Sequence, residues 1–313
     1  MIPLLVSLAI VPAVYDEWSH HRTTRQEHPF SKAPPWASVE YLHEMMRSHG
    51  RYDLNVSLTL YQKFNSALPH YIASNRGMEG GVYLRYIIDN YRSSLPDFVA
   101  FLHAYPNEHS YQFPEILTCL DTRRTKYTSL NRIDTALRLQ TTSAWGRPDF
   151  EFVGYQDPAE AQFWMERCWR DVLAVIGYRE GKSPADGDAI PSPIAVSFAC
   201  CNQFVVSKEM IRRLPLKTWK KLHTMLAAGP ACHLGNATYK GEGEASSRRS
   251  DPLGRGIQGF TSEHLAHVIY GGYSLLNSRA QMRQDTVDSF ARGCKYFADH
   301  GAPVSVAFLQ NRH

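Results

Sequence analysis

Ser94-Leu-Pro-Asp97-Phe98-Val-Ala-Phe-Leu102-His103 decides the fold class. A turn signal is followed by an unbroken apolar run of strand length, and the run ends on a polar residue. A strand that delivers a polar group at its C-terminal end is where α/β sheets place ligand sites, so His103 is a candidate acid or base. Immediately upstream, Asn75-Arg-Gly-Met-Glu79-Gly-Gly-Val-Tyr83-Leu84-Arg-Tyr-Ile-Ile-Asp89-Asn-Tyr91 reads as a glycine-containing turn that enters an amphipathic helix. Asn75 is its expected cap, and Val82, Tyr83, Tyr86 and Ile87 share one face. Helix followed by strand is the repeating unit of a layered α/β domain.

Working outward, the apolar runs Leu4–Val14, Leu54–Tyr61, Ile194–Phe198 and Val304–Leu309 predict further strands, separated by segments of helical periodicity. Within Glu160–Tyr178, the residues Met165, Cys168, Trp169, Val172, Leu173 and Ile176 form an i, i+3, i+4, i+7 stripe. Val287, Phe290, Ala291, Cys294, Phe297 and Ala298 repeat it, and both stretches predict core helices. The expectation is one α/β domain over residues 1–313, built on a single mixed, mostly parallel sheet flanked by helices. Long loops rich in turn formers interrupt it at about 18–35, 180–193 and 239–259.

With 43% hydrophobic and 20% charged residues among 313, the chain has enough apolar material for a large core, which excludes a disordered class. The formal charge of +4 admits a polyanionic partner without requiring one. Met1–Val14 carries two prolines and no basic n-region, so it predicts a buried first strand rather than a secretory signal. No later stretch reaches the roughly 18–20 apolar residues of a membrane span, and a cytoplasmic protein is expected. Six cysteines, sparse and without CxxC spacing, indicate neither a disulfide framework nor a structural zinc site. Cys168 and Cys294 read as small apolar residues on buried helix faces.

Several groups are candidates for chemistry. Cys200 and Cys201 close the run Ile194-Ala-Val-Ser-Phe-Ala199. Successive strand residues face opposite sides, so the two thiols meet different surroundings and one is a candidate nucleophile. Glu79 falls in a first helical turn, beside glycines that let a substrate backbone approach. Glu263 and His267 are four apart, the spacing of a carboxylate that orients an imidazole base. Asp186-Gly187-Asp188 matches the short DxD pattern of metal-dependent glycosyl transfer, but it lies in a Ser/Pro/Gly loop ahead of a strand and reads as a solvated turn. The histidines show no paired ligand spacing, so no metal and no cofactor is expected. Lys208, Arg212, Arg213, Lys217, Lys220 and Lys221 follow a helix cap at Ser207, and Arg123, Arg124 and Lys126 form a second basic cluster beside Tyr127. Both clusters are candidates for holding a phosphate backbone, which makes RNA a reasonable partner.

Taken in order, Asn75-Arg-Gly-Met-Glu79, Tyr83-Leu84, Ile88-Asp89-Asn-Tyr91, Leu95-Pro96-Asp97, Phe101-Leu102-His103, Cys200-Cys201-Asn-Gln203-Phe204-Val-Val-Ser207 and Glu263 with His267 resemble the arginine-containing cyclodipeptide synthases. The matching blocks span roughly residues 75–270. The resemblance implies an enzyme that takes arginyl-tRNA and a second aminoacyl-tRNA and joins the amino acids as a diketopiperazine. It also implies a fold related to the nucleotide-sugar glycosyltransferases of the A type, without need of their metal. Catalytic roles then fall to Glu79, His103, Cys200, Cys201, Glu263 and His267, and substrate binding to Asn75, Tyr83, Asp97 and Gln203. Met78, Gly80-Gly81 and Ala266 depart from the expected pattern, which bears on the pocket and the second amino acid.

The chemistry also fits the residues directly. An aminoacyl-tRNA ester is already activated, and no GxxxxGK[ST] nucleotide loop is present. A guanidinium is best held by carboxylates, for which Glu79, Asp97 and Glu263 are available. Glycosyl transfer is the rival enzyme class, and a non-catalytic RNA-binding protein is a third reading.

Overall fold

The computed structural model describes residues 5–14, 34–62, 66–72, 78–106, 113, 115–123, 125–130, 138–141, 158–177, 179–180, 189–190, 195–198, 202–228, 259, 261–263, 265–271, 275–276 and 301–302. Its centre is a six-stranded sheet whose strands, in chain order, are β1 (Val6–Val14), β2 (Leu54–Leu58), β3 (Tyr61–Gln62), β4 (Phe98–His103), β5 (Tyr127–Ser129) and β6 (Phe204–Ser207). β1 pairs in parallel with β2, β3 and β4, with Leu8 opposite Phe98 and Ala13 opposite His103. β6 runs antiparallel to β4, with Phe204 opposite Phe101, and β5 runs antiparallel to β6. The sheet is therefore mixed.

Alternation along β1 sorts the core into two layers. Ala9, Val11 and Ala13 face a cluster that includes Val99, Phe101, Phe204 and Val206. That face is covered by α2 (Met78–Asn90), α3 (Pro158–Val175), α4 (Lys208–Arg213), α5 (Leu216–His223) and α6 (Ala266–Ile269). Leu8, Ile10 and Val14 face the other cluster, with Ala100, Leu102 and Val205. It is covered by α1 (Val39–Ser48) and a 3-10 turn at Glu115–Cys119. Helices on both faces explain why β1 and β4 read as apolar runs without polar alternation.

Local chemistry fixes the element ends. Ser38 caps α1, its hydroxyl accepting from the Tyr41 N–H at 3.3 Å, and Ser207 caps α4 by accepting from Met210 N–H at 3.4 Å. The basic stretch expected as one helix after Ser207 is two helices. Leu214, ahead of Pro215, is extended (ψ 133°), as a residue before proline prefers. Tyr61 Oη donates to Asp89 Oδ2 at 2.8 Å, and Arg85 meets the same carboxylate, which ties α2 to β3.

Two assignments differ from the sequence reading. Phe204–Ser207 is a buried strand of the main sheet, not merely the approach to a helix. Ala195–Phe198 is a strand, but it pairs with Arg138–Thr141 in a separate two-stranded ladder. Residues 179–180 and 189–190, at the ends of an expected loop, pair in parallel. The 239–259 loop apart from residue 259, the 18–35 loop apart from its last two residues, and the elements expected at 287–298 and 304–309 lie outside the described residues. No described helix is long and apolar enough to cross a membrane.

The cysteines require a correction. Cys119 and Cys168 are each disulfide-bonded, where apolar packing alone was expected for Cys168. Cys119 belongs to one core layer and Cys168 to the other.

Candidate functional site

The C-terminal ends of the parallel strands and the N-terminus of α2 meet at one edge of the sheet, as a right-handed strand-helix-strand crossover requires. β6 runs the opposite way, so its N-terminal side brings Asn202 and Gln203 to that same edge, next to His103. Gln203 is buried and locks the corner: its Oε1 accepts from His103 N–H at 3.3 Å, and its Nε2 donates to the Pro106 carbonyl at 3.3 Å. His103 is partly exposed at the strand end.

A tight contact at this edge involves Gly80, in the first turn of α2. A Cβ placed there would lie 1.7 Å from Ser262 Oγ, 2.6 Å from Ser262 Cβ and 3.6 Å from Asn202 Nδ2. Only glycine permits this contact. It sets the α2 N-terminus against the helical turn at residues 261–263; in the chain Glu79 immediately precedes Gly80 and Glu263 immediately follows Ser262. Both glutamates are partly exposed, whereas Thr261, Ser262 and Asn202 are almost wholly buried. Asn202 has φ +43°, in the left-handed region that asparagine tolerates better than most residues.

Of the expected Glu263–His267 pair, Glu263 lies in the turn at 261–263 and is partly exposed, and His267 lies in α6 with 1% of its surface exposed. Leu265, between them, has φ −96° and ψ 6°. Tyr83 is fully buried, its ring 4.6 Å from that of Phe101 and 5.8 Å from that of Phe204, so it builds the wall behind the corner. Burial raises the Tyr86 hydroxyl to about 12, and the Tyr127 and Tyr270 hydroxyls beyond the ordinary tyrosine range. These phenols remain neutral at physiological pH.

Asp97 stands apart from this group. It immediately precedes β4, about 20 Å from His103 at ~3.3 Å per residue. Its carboxylate accepts from the Ser7 N–H at 2.9 Å and the Ser7 hydroxyl at 2.8 Å. Burial would raise its pKa, but the Ser7 hydrogen bonds and the Lys208 charge outweigh it and hold the group below its ordinary value. The structure does not bring Asp97 together with Glu79 and Glu263; it pins two strand starts.

The basic residues divide in the same way. Lys208 N–H donates to the Asp97 carbonyl and Lys126 carbonyl accepts from Ser207 N–H, each at 2.8 Å, so both residues belong to the edge opposite the corner. Lys126 Nζ also lies 3.9 Å from Glu209. Arg213 donates to the Val268 and Ile269 carbonyls at 3.3 and 3.1 Å, an end-cap on α6. Arg123 and Arg212 are exposed. Lys217, Lys220 and Lys221 are exposed on α5, whose Trp219 and Leu222 are buried. Asn75, Arg124, Cys200, Cys201 and the Asp186–Asp188 motif lie outside the described residues. Among the described residues no group of three or more His, Cys, Asp or Glu has a metal-binding arrangement.

Asn202, Thr261 and Ser262 were not read as site residues from the sequence, and Gly80, read as clearing room for a substrate backbone, instead makes room for Ser262. The signal for Gly80 was visible, as a glycine inside a helical pattern, but its partner Ser262 is distant in the chain.

Fold and corner together define a three-layer α/β protein with a mixed sheet and a polar corner at the strand C-termini. The chain belongs to the family described as protein of unknown function (DUF3431), whose model matches residues 41–281 and so includes every part of this corner. No curated protein and no solved structure matches it.

Proposed function

We propose that the protein is an aminoacyl-tRNA-dependent synthase of an arginine-containing cyclic dipeptide, acting in the cytosol, with a fold akin to the A-type glycosyltransferases. The observation that carries this reading is the Gly80–Ser262 contact, which joins the chain segments of Glu79 and Glu263 at the end of the sheet where β4 finishes on His103. Carboxylates suit a guanidinium, and an imidazole suits the proton transfer that aminolysis of an ester requires. The amine of one aminoacyl group attacks the ester carbonyl of the other, an amide forms, the tRNA 3′ hydroxyl leaves, and the amine proton passes to the base. A second attack, by the remaining amine on the remaining ester, closes the ring. The acyl group moves either directly or through a thioester on Cys200 or Cys201. The exposed lysines of α5 are the proposed contact for the tRNA backbone.

The test is incubation of purified protein with charged tRNA-Arg and a mixture of other charged tRNAs, with products read by mass spectrometry. A cyclic arginine dipeptide is expected, its mass names the second amino acid, and its absence overturns the proposal.

One observation favours a second reading, glycosyl transfer. The disulfides at Cys119 and Cys168 are typical of oxidising compartments, which hold no charged tRNA. Thermal stabilisation by nucleoside diphosphates with manganese, and none by aminoacyl-tRNA, would establish that reading instead.

A further inference from the structure

β2 is an outermost strand of the main sheet, and β3 continues it along the same side of β1. Val6 N–H donates to the Asp53 carbonyl and Thr59 N–H to the Ile10 carbonyl, so Asp53, Asn55, Ser57 and Thr59 turn their peptide groups towards β1. Leu54, Val56 and Leu58 therefore turn theirs outward. At β3 the chain covers its own flank: Gln62 N–H donates to the His70 carbonyl, and the Gln62 carbonyl accepts from Ile72 N–H. At β2 no described strand follows. Among the described residues one side chain reaches the outward row, His43 of α1, whose Nε2 accepts from Val56 N–H at 3.1 Å.

Natural sheets blunt such a flank with charge, proline or a bulge. Leu54-Asn-Val-Ser-Leu58 has no charge and no proline, and its register against β1 is regular. Leu54 and Val56 are buried, while Asn55 and Ser57 are exposed on the other face. The charges stand on α1 instead. Glu40, His43 and Arg47 follow one another at helical spacing, so the flank of α1 beside the outward row is acidic at its N-terminal end and basic at its C-terminal end. Glu40 and Arg47 are both exposed, and neither has an ion-pair partner among the described residues. A two-fold axis level with His43 and Val56 lays a second α1 alongside in the opposite direction, which sets Glu40 of each copy level with Arg47 of the other. The strand is self-complementary about the same axis: Val56 opposes Val56, Leu54 opposes Leu58 and Asn55 opposes Ser57, with no like charges facing.

We propose that β2 is a self-association surface, to which a second copy of this chain adds its own β2 in antiparallel register, and that His43 holds this surface closed in the single copy. The ring takes the Val56 N–H that the Val56 carbonyl of the second copy would accept from, so it has to leave before the central pair forms. A five-residue ladder flanked by one helix is a small contact, which makes the association a concentration-dependent equilibrium and not a permanent dimer. The surface is independent of the proposed activity.

The experiment is sedimentation velocity of the full chain over a concentration series. It is repeated on His43→Ala, on Asn55→Lys with Ser57→Lys, and on Asn55→Lys with Ser57→Glu, each checked for folding by thermal unfolding. Wild type is expected in monomer–dimer equilibrium. His43→Ala is expected to dimerise about tenfold more tightly, because neither copy then loses a His43 hydrogen bond on pairing. Asn55 and Ser57 are exposed, so the charge changes leave the monomer intact. The double lysine variant sets like charges opposite one another across the axis and is expected to stay monomeric, whereas the lysine–glutamate variant sets unlike charges opposite and keeps the dimer. Monomer throughout in wild type and His43→Ala alike, equal affinity of these two, or a dimer that persists in the double lysine variant overturns the proposal. Should His43→Ala fail to fold, a monomeric wild type or equal behaviour of the two charge variants overturns it.

Discussion

At the scale of single residues, Gly80 carries the heaviest constraint. A methyl group there would overlap Ser262 Oγ and Cβ, and a serine Cβ is fixed by its own backbone, so the helical turn at 261–263 has to shift. Gly80→Ala is expected to destabilise the protein by about 1–3 kcal/mol, the usual effect of overpacking, read as a lowered midpoint of thermal unfolding. Ser262→Gly in the same chain removes the overlap. The double variant should regain most of the lost thermal stability, and a strictly additive double-mutant cycle would show that the two residues do not share this contact. Asn202, at φ +43°, offers a second residue-scale test. Asn202→Ala loses the amide and takes on backbone strain of about 1 kcal/mol, whereas Asn202→Gly loses the amide alone. Thermal melts should therefore rank Gly above Ala at this position, although alanine is the better residue almost everywhere else.

At the scale of elements, Asp97 illustrates how a sequence motif acquires a different role once strands are paired. It lies in a block matched for its resemblance and was a reasonable partner for an arginine side chain, yet its hydrogen bonds go to Ser7 at the start of β1. Its carboxyl is held below its ordinary value in the folded chain, so the stability it contributes is present above the unfolded pKa of about 3.9 and is lost as pH falls through the folded value. Asp97→Asn should lower stability near neutral pH and flatten the acid limb of a stability-pH curve below about pH 4, measured by urea unfolding; an unchanged acid limb would remove this role. The apolar runs of β1 and β4 were legible because they are long and buried on both faces, and so was α2, whose stripe and first-turn glutamate repeat what the structure shows. β5 and β6 were not, for a physical reason. Each is a few residues long and takes its stability from neighbours distant in sequence, so no local pattern marks it. The corner was half legible for the same reason: Glu79 and His103 announce themselves beside helix and strand ends, while Asn202 and Ser262 matter only because β6 and the 261–263 turn arrive next to Gly80.

At the scale of the whole molecule, the disulfides and the two edges of the sheet constrain function together. The acidic corner and most of the expected cations occupy different parts of the fold: Lys126 and Lys208 lie at the edge opposite the corner, and Lys217, Lys220 and Lys221 run along α5 beside α2. A tRNA that delivers its aminoacyl end to the corner would follow α5, and the lysines at the far edge would contribute little. Charge reversal of Lys217, Lys220 and Lys221 to glutamate should therefore weaken charged-tRNA binding and reduce its salt dependence by about three phosphate contacts, while the Lys126→Glu change leaves both nearly unaltered. Cys119 and Cys168, bonded on opposite faces of the sheet, set a second condition. Alkylation of the unfolded protein without reductant, followed by peptide mass spectrometry, should leave both residues unlabelled, and prior reduction should expose both. Reduction should also lower stability by roughly 2–5 kcal/mol per structural disulfide. Labelling of Cys119 and Cys168 in protein recovered under strict thiol trapping from its native compartment would show thiols there, which suits a cytosolic tRNA-dependent enzyme. Protection of both in the same sample would place the chain in an oxidising compartment and transfer the weight of the argument to glycosyl transfer.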